Sequence, residues 1–134
     1  MLEIFCQNYG IILSEEKERV MPYIHARLSI KLDDAQKSDL QSKITDVVSE
    51  AFSKPKNYIM AEIADGCSLY MGNKELDKGA YLSIGLLGST TKDRCNAVTQ
   101  KVCDILSSEY GISGSGVYIT YHPTELWGWN GMMF

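Results

Sequence analysis

Residues 23–30, YIHARLSI, alternate strictly between apolar and polar positions. Ile24, Ala26, Leu28 and Ile30 point one way and Tyr23, His25, Arg27 and Ser29 the other, which is the period of a β-strand. The period then changes. Leu40, Ile44, Val47, Val48, Ala51 and Phe52 recur at helical offsets and make one apolar stripe. Asp33 or Asp34 supplies the N-cap, and Gln36 is placed to complete a capping box with Asp33. Ser53, Lys54 and Pro55 end the helix, because the residue before a proline is pushed out of the α region. A second strand is predicted over 57–63, NYIMAEI.

The same order then returns. AYLSIGLL, 80–87, reads as a strand, and Ser89, Thr90 and Thr91 offer caps, with Asp93 three residues after Thr90. A helix runs to about Tyr110, burying Cys95, Val98, Val102, Ile105 and Leu106, and Gly111 closes it. VYITY, 117–121, is the last strand of the repeat. Between the halves lies a connector, 64–79, in which SLYM has room for a short extra strand. This β-α-β-β-α-β duplication is the main organisational signal. Right-handed crossovers make the strands of each half parallel. The predicted fold class is therefore α+β, a four-stranded mixed sheet with two helices on one face. Parallel strands are usually covered on both faces, and no further helix is available. Oligomerisation is the economical cover. The uncharged tail LWGWNGMMF either joins that contact or folds back onto its own subunit.

Composition narrows the function. A chain of 134 residues, 45% hydrophobic, is one domain that needs no disulfide or metal staple. A formal charge of −4 argues against nucleic acid as a partner, since the one tight basic cluster is Lys54 and Lys56. No apolar run approaches a membrane span. MLEIFCQNYGIIL lacks a basic start and a cleavage site, so no signal peptide is expected and a cytoplasmic location is. Cys6, Cys67, Cys95 and Cys103 contain no C-x-x-C pair and read as small buried hydrophobes. His25 and His122 have no acidic or thiol cluster beside them, so no metal site is expected. GISGSG, 111–116, follows a helix and fits a cap and turn better than a phosphate loop. Ser89 to Thr91 fit ordinary capping better than an anion site.

What remains is Met21-Pro22, just before the first strand. Were translation to begin at Met21, removal of that methionine would leave a secondary amine at residue 22. A nearby cation or burial lowers the pKa of such an amine and makes it a usable base. Acylated by residues 1–20, the same nitrogen is an amide with no useful basicity.

Pro22 opening a strand, SKPKNYIM at 53–60, LSIGLLG at 82–88, GVYITY at 116–121 and the terminal WGWNG…F together resemble the macrophage migration inhibitory factor family of the tautomerase superfamily. The resemblance covers 22–134, with 1–21 as an N-terminal extension. It implies a homotrimer whose sheets line a barrel and whose active sites lie between subunits, and keto–enol tautomerisation of a small aromatic 2-oxo acid such as phenylpyruvate, without a cofactor. A dopachrome-type isomerisation is a further family activity, expected only with artificial substrates. Carried over residue by residue, the resemblance places the base at Pro22 and the carboxylate partner at Lys54. Tyr58 and a backbone N–H of Ile84 fall at the pocket, Tyr118 reaches in from the adjacent subunit, and Trp129 and Phe134 are apolar walls. Secreted, cytokine-like members also exist in the family, but export is not readable here.

Four departures bear on specificity and activity. Leu76 and Gly79 stand where better-known animal members carry a C-x-x-C, which removes thiol–disulfide chemistry. Thr120 replaces a common asparagine, Tyr23 an apolar residue, and Trp127 a smaller one. For residues 1–20 two readings stay open. They are a real arm that blocks Pro22 and leaves a non-catalytic trimeric binding or signalling protein, or they reflect an upstream start choice. Glu15 to Arg19 can be encoded by purines alone, as a ribosome-binding sequence before the Met21 codon would be. Removing 1–20 takes away four acids and two bases, so the formal charge falls from −4 to −2.

Overall fold

The structure, a computed structural model, describes residues 21–134. Strand β1 spans Pro22–Leu28 and helix α1 Asp34–Phe52; β2 spans Met60–Ala64, β3 Tyr70–Met71 and β4 Lys74–Glu75. The second half holds β5, Ala80–Leu87, helix α2, Lys92–Tyr110, and β6, Val117–Thr124, followed by β7, Gly128–Trp129, and β8, Met132–Met133. The main sheet has the order β2-β1-β5-β6. β1 runs parallel to β2 and β5 parallel to β6, while β1 and β5 meet antiparallel. The duplicated mixed sheet is therefore present, with the two halves joined at their first strands.

Local chemistry sets the ends of the helices. Asp33 accepts from the Gln36 amide at 2.7 Å, and the Gln36 side chain accepts from the Asp33 amide at 2.9 Å, a complete capping box. At the other end Ser53 adopts the left-handed conformation, φ 54° and ψ 48°. Helix α2 is capped by Thr91, which accepts from the Arg94 amide at 3.2 Å, so the cap lies one residue later than a Thr90–Asp93 box would put it. The strand expected from residue 57 begins at Met60, because Lys56–Tyr58 form a single 3₁₀ turn behind Pro55. SLYM does contribute strand, with Tyr70–Met71 pairing Lys74–Glu75. Leu76 and Gly79, at the C-x-x-C positions, are in contact: a Cβ at Gly79 would lie 2.7 Å from Leu76 Cδ1.

The core lies on one side of the sheet. Ile24, Ala26 and Leu28 of β1 and Leu82, Ile84 and Leu86 of β5 are buried against Leu40, Ile44, Val48 and Phe52 of α1 and Val98, Val102 and Leu106 of α2. Tyr121 of β6 ties α2 to the sheet, its hydroxyl 2.7 Å from Thr99 Oγ1 and donating to the Cys95 carbonyl at 2.9 Å. Burial pushes its ionisation up to about 12. Cys67, Cys95 and Cys103 are free and half-buried, less enclosed than the core role predicted; Cys6 lies outside the described residues. The face away from the helices is polar. Tyr23 donates to Glu62 at 2.9 Å, Arg27 Nε donates to His25 at 3.3 Å, and Thr120 Oγ1 lies 2.8 Å from both the Tyr81 hydroxyl and His122 Nε2. The Glu62 carboxylate raises the Tyr23 ionisation. Among the described residues no helix is long and apolar enough to cross a membrane.

Candidate active site

Pro22 begins β1 at the end of the sheet where β2 also begins, with Tyr23 beside Met60. It is buried and borders an apolar cavity of about 660 Å³. The aromatic wall is built from two chain segments. Tyr58, presented by the 3₁₀ turn, meets Trp129 edge-on with ring centroids 5.9 Å apart. Trp129 in turn stacks on Phe134, 6.2 Å between centroids and 4° between planes. The β7–β8 hairpin makes this stack possible, held by the Phe134 amide donating to the Trp127 carbonyl at 2.9 Å. The tail therefore packs on its own subunit. Trp127 lines the cavity and lies over Gly85, where an added Cβ would touch the indole at 3.6 Å.

Lys54 approaches from the other side. The left-handed turn at Ser53 directs the chain inward, and Lys54 is only 6% exposed. Its Nζ donates to the Leu87 carbonyl at 3.4 Å, while the Leu87 amide donates to the Met21 carbonyl at 3.2 Å. One residue of β5, Leu87, thus connects the ammonium to the residue before Pro22. Lys54 lines a second, small cavity of about 120 Å³ with Phe52, Leu86, Ser89 and Arg94. Leu86 is the register partner of Pro22.

The remaining expected residues are spread more widely. Ile84 is fully buried in the middle of the sheet, opposite Ile24 and two residues along β5 from Leu86. Tyr118, 65% exposed, pairs with Tyr81 at the far end of β5 and lines a separate cleft with Tyr70 and Leu76. One protomer therefore gathers Pro22, Tyr58, Trp129 and Phe134, brings Lys54 to Leu87 on the adjacent strand, and leaves Tyr118 remote. Among the described residues no group of three or more His, Cys, Asp or Glu side chains is placed to hold a metal ion.

Sequence reasoning did not place Met21 or Arg94 at the two cavities, which they line. Met21 has φ 74°, a conformation non-glycine residues avoid. With Leu87 it forms a small buried cluster against Trp127 and Phe134. It lines the same cavity as Pro22. An apolar residue preceding a strand proline was the available signal. Arg94 was hidden by its helix-start context, where capping explains the neighbouring hydroxyls.

The profile of the family described as macrophage migration inhibitory factor (MIF) matches residues 21–134. The MIF-like protein mif-2 of Caenorhabditis elegans is 28% identical over 95 residues, covering 69% of this chain and 78% of the relative. Among solved structures, MIF2 of Leishmania major superposes with a TM-score of 0.78 at 23% identity, over 86% of this chain and 98% of that one. The macrophage migration inhibitory factor homologue of Prochlorococcus marinus gives 0.74 at 24% identity, over 84% and 98%.

Proposed function

The chain belongs to the macrophage migration inhibitory factor family, and from that membership and the site we propose that it is a keto–enol tautomerase of aryl 2-oxo acids such as phenylpyruvate, acting through a free Pro22 amine. The observation that carries this reading is the position of Pro22, buried at an aromatic-walled cavity, with the Lys54 ammonium linked through Leu87 to the residue before it. Once the chain through Met21 is removed, the amine stands at the cavity that Met21 and Pro22 line together. The substrate ring packs against Trp129 and Tyr58, and Lys54 holds the carboxylate. Neutral Pro22 takes a proton from the carbon next to the carbonyl, and the electron pair moves onto the carbonyl oxygen as an enolate. The proline ammonium then returns the proton to that oxygen, giving the enol. Atoms and charge balance without a cofactor. Lys54 serves twice, since its charge also favours the neutral amine. The working assembly is a homotrimer in which Tyr118 comes from the neighbour.

Burial of Met21 and its bond to Leu87 favour a second reading for protein that keeps the upstream chain, a trimeric binding or signalling molecule with no catalysis. A phenylpyruvate tautomerase assay on chains starting at Met1 and at Met21 separates the two. Activity is expected only in the shorter form, with Pro22→Gly lowering it by about 10² to 10⁴. Equal activity in a longer form shown by intact mass to be unprocessed sinks the free-amine mechanism.

A further inference from the structure

We propose that Glu62 is a positioning residue for Tyr23 at the Pro22 cavity and that His25 controls it: a proton on His25 draws the Glu62 carboxylate off the Tyr23 hydroxyl and loosens that wall. The part that concerns catalysis rests on the tautomerase reading above; the coupling of the three side chains does not.

The first observation is where Tyr23 stands. Met60, Tyr23 and Gly85 form one cross-strand row on the face away from the helices. Trp127 lies over Gly85, and Met60, Tyr23 and Trp127 all line the cavity beside Pro22. Tyr23 therefore sits between two other wall residues. Its hydroxyl donates to Glu62 Oε1 at 2.9 Å. That bond first, and burial second, raise the Tyr23 ionisation, so the hydroxyl stays a donor over the range in which an imidazole titrates.

The second is that the same carboxylate oxygen faces His25. In the next row Glu62 is the register partner of His25, with Oε1 3.6 Å from His25 Nε2. That nitrogen accepts from Arg27 Nε at 3.3 Å. A ring nitrogen that accepts carries no proton, so His25 is neutral in this arrangement. Protonation at Nε2 ends the Arg27 bond, sets a second positive charge beside the guanidinium and gives Glu62 an N–H donor. Oε1 then faces two donors, and the charged one makes the stronger bond.

The third is that the proton has one acid to act on. Glu62 is the one carboxylate in the four strands of the main sheet. The other titratable or charged side chains of this face are Arg27 on β1, Tyr81 on β5, and Tyr118 and His122 on β6. Tyr81 and His122 meet through Thr120 Oγ1, away from Glu62. Ser83, opposite His25 on β5, has no charge.

The test reads the coupling directly. In the full chain, the Tyr23 ring and His25 imidazole resonances are followed by NMR from about pH 8 to 5. Tyr23 is expected to move with the His25 midpoint. Glu62→Gln keeps an acceptor for the Tyr23 hydroxyl but no charge for the imidazolium. It therefore measures the direct effect of that charge on a ring 6.3 Å away, and should cut the Tyr23 response severalfold while His25 still titrates. His25→Gln should abolish the response, and His122→Gln should leave it. Glu62 is 57% exposed and His25 22%, so these variants should fold, which thermal melts check. In the tautomerase-active form, the ratio of parent to His25→Gln kcat/KM should change by about two- to fivefold over the same range, the scale of an exposed ion pair. The Pro22 amine titrates in both proteins and drops out of that ratio. A Tyr23 ring indifferent to His25, equally responsive in Glu62→Gln, or governed by His122 overturns the proposal. Coupling in a protein without tautomerase activity keeps it and discards the reaction.

Discussion

Tyr118 and Pro22 stand at opposite ends of one sheet. Tyr118 is the register partner of Tyr81 and Pro22 of Leu86, five residues apart on β5. At 3.4 Å per residue that is about 17 Å, beyond the reach of a side chain. A substrate at Pro22 cannot meet the Tyr118 of the same protomer. In the trimer proposed above, the Tyr118 that meets it is a neighbour's.

Sharing has a statistical consequence. In a closed ring of identical subunits each site takes Pro22 from one chain and Tyr118 from the next. Mixing Pro22→Gly with Tyr118→Ala chains in equal amounts, by co-refolding, should restore about a quarter of the sites in random assemblies. The readout is tautomerase activity of the mixture against each variant alone. Recovery no greater than the average of the two parents would place Tyr118 outside the site or within its own subunit.

Ser53 ends α1 in the left-handed conformation, with no compensating side-chain bond among the described contacts. Glycine takes this conformation without the steric cost of a Cβ, and left-handed caps are usually glycine. Ser53→Gly should therefore stabilise the fold by about 0.5–1 kcal/mol and leave the Lys54 turn in place. Urea unfolding measures the change. A loss of stability would show that the turn is held by something other than the cap geometry.

Asp65 links the end of β2 to the turn after β1. It accepts the Leu32 amide at 2.9 Å and faces the Lys37 ammonium at 3.0 Å. The Leu32 amide first, and Lys37 second, hold its carboxyl below the ordinary value of 3.8. A carboxylate with a lowered folded-state pKa stabilises the fold fully above its unfolded value and loses that contribution as pH falls through the folded one. Asp65→Asn should thus be less stable than the parent at neutral pH. The gap should begin to close below about pH 3.8 and vanish at still lower pH. Thermal melts from pH 7 to 2 test this, and a gap that stays constant would assign the effect to packing.

Much of the fold was written locally. The alternation from Tyr23 to Ser29 already separated the residues that face the helices from the polar set of Tyr23, His25 and Arg27. Asp33, Gln36 and Gly111 marked helix ends because capping is settled within three or four residues. The Trp129 and Phe134 walls were legible only through family resemblance, since a tail rich in aromatics fits an oligomer contact as well as a hairpin.

The amino-acid pattern by itself determined the duplicated β-α-β unit, the face each strand buries and the candidacy of Pro22, because period, caps and a strand-opening proline are short-range properties. Tertiary structure decided the rest. The order β2-β1-β5-β6 sets Leu86 beside Pro22 and separates Tyr118 from it. The turn at Ser53 sends Lys54 inward, so that Leu87 links it to Met21 while Arg94 joins it from α2. These pairings join residues more than thirty positions apart. Their energy comes from burying two helices on one sheet, and only the assembled sheet and its packed helices fix which side chains meet.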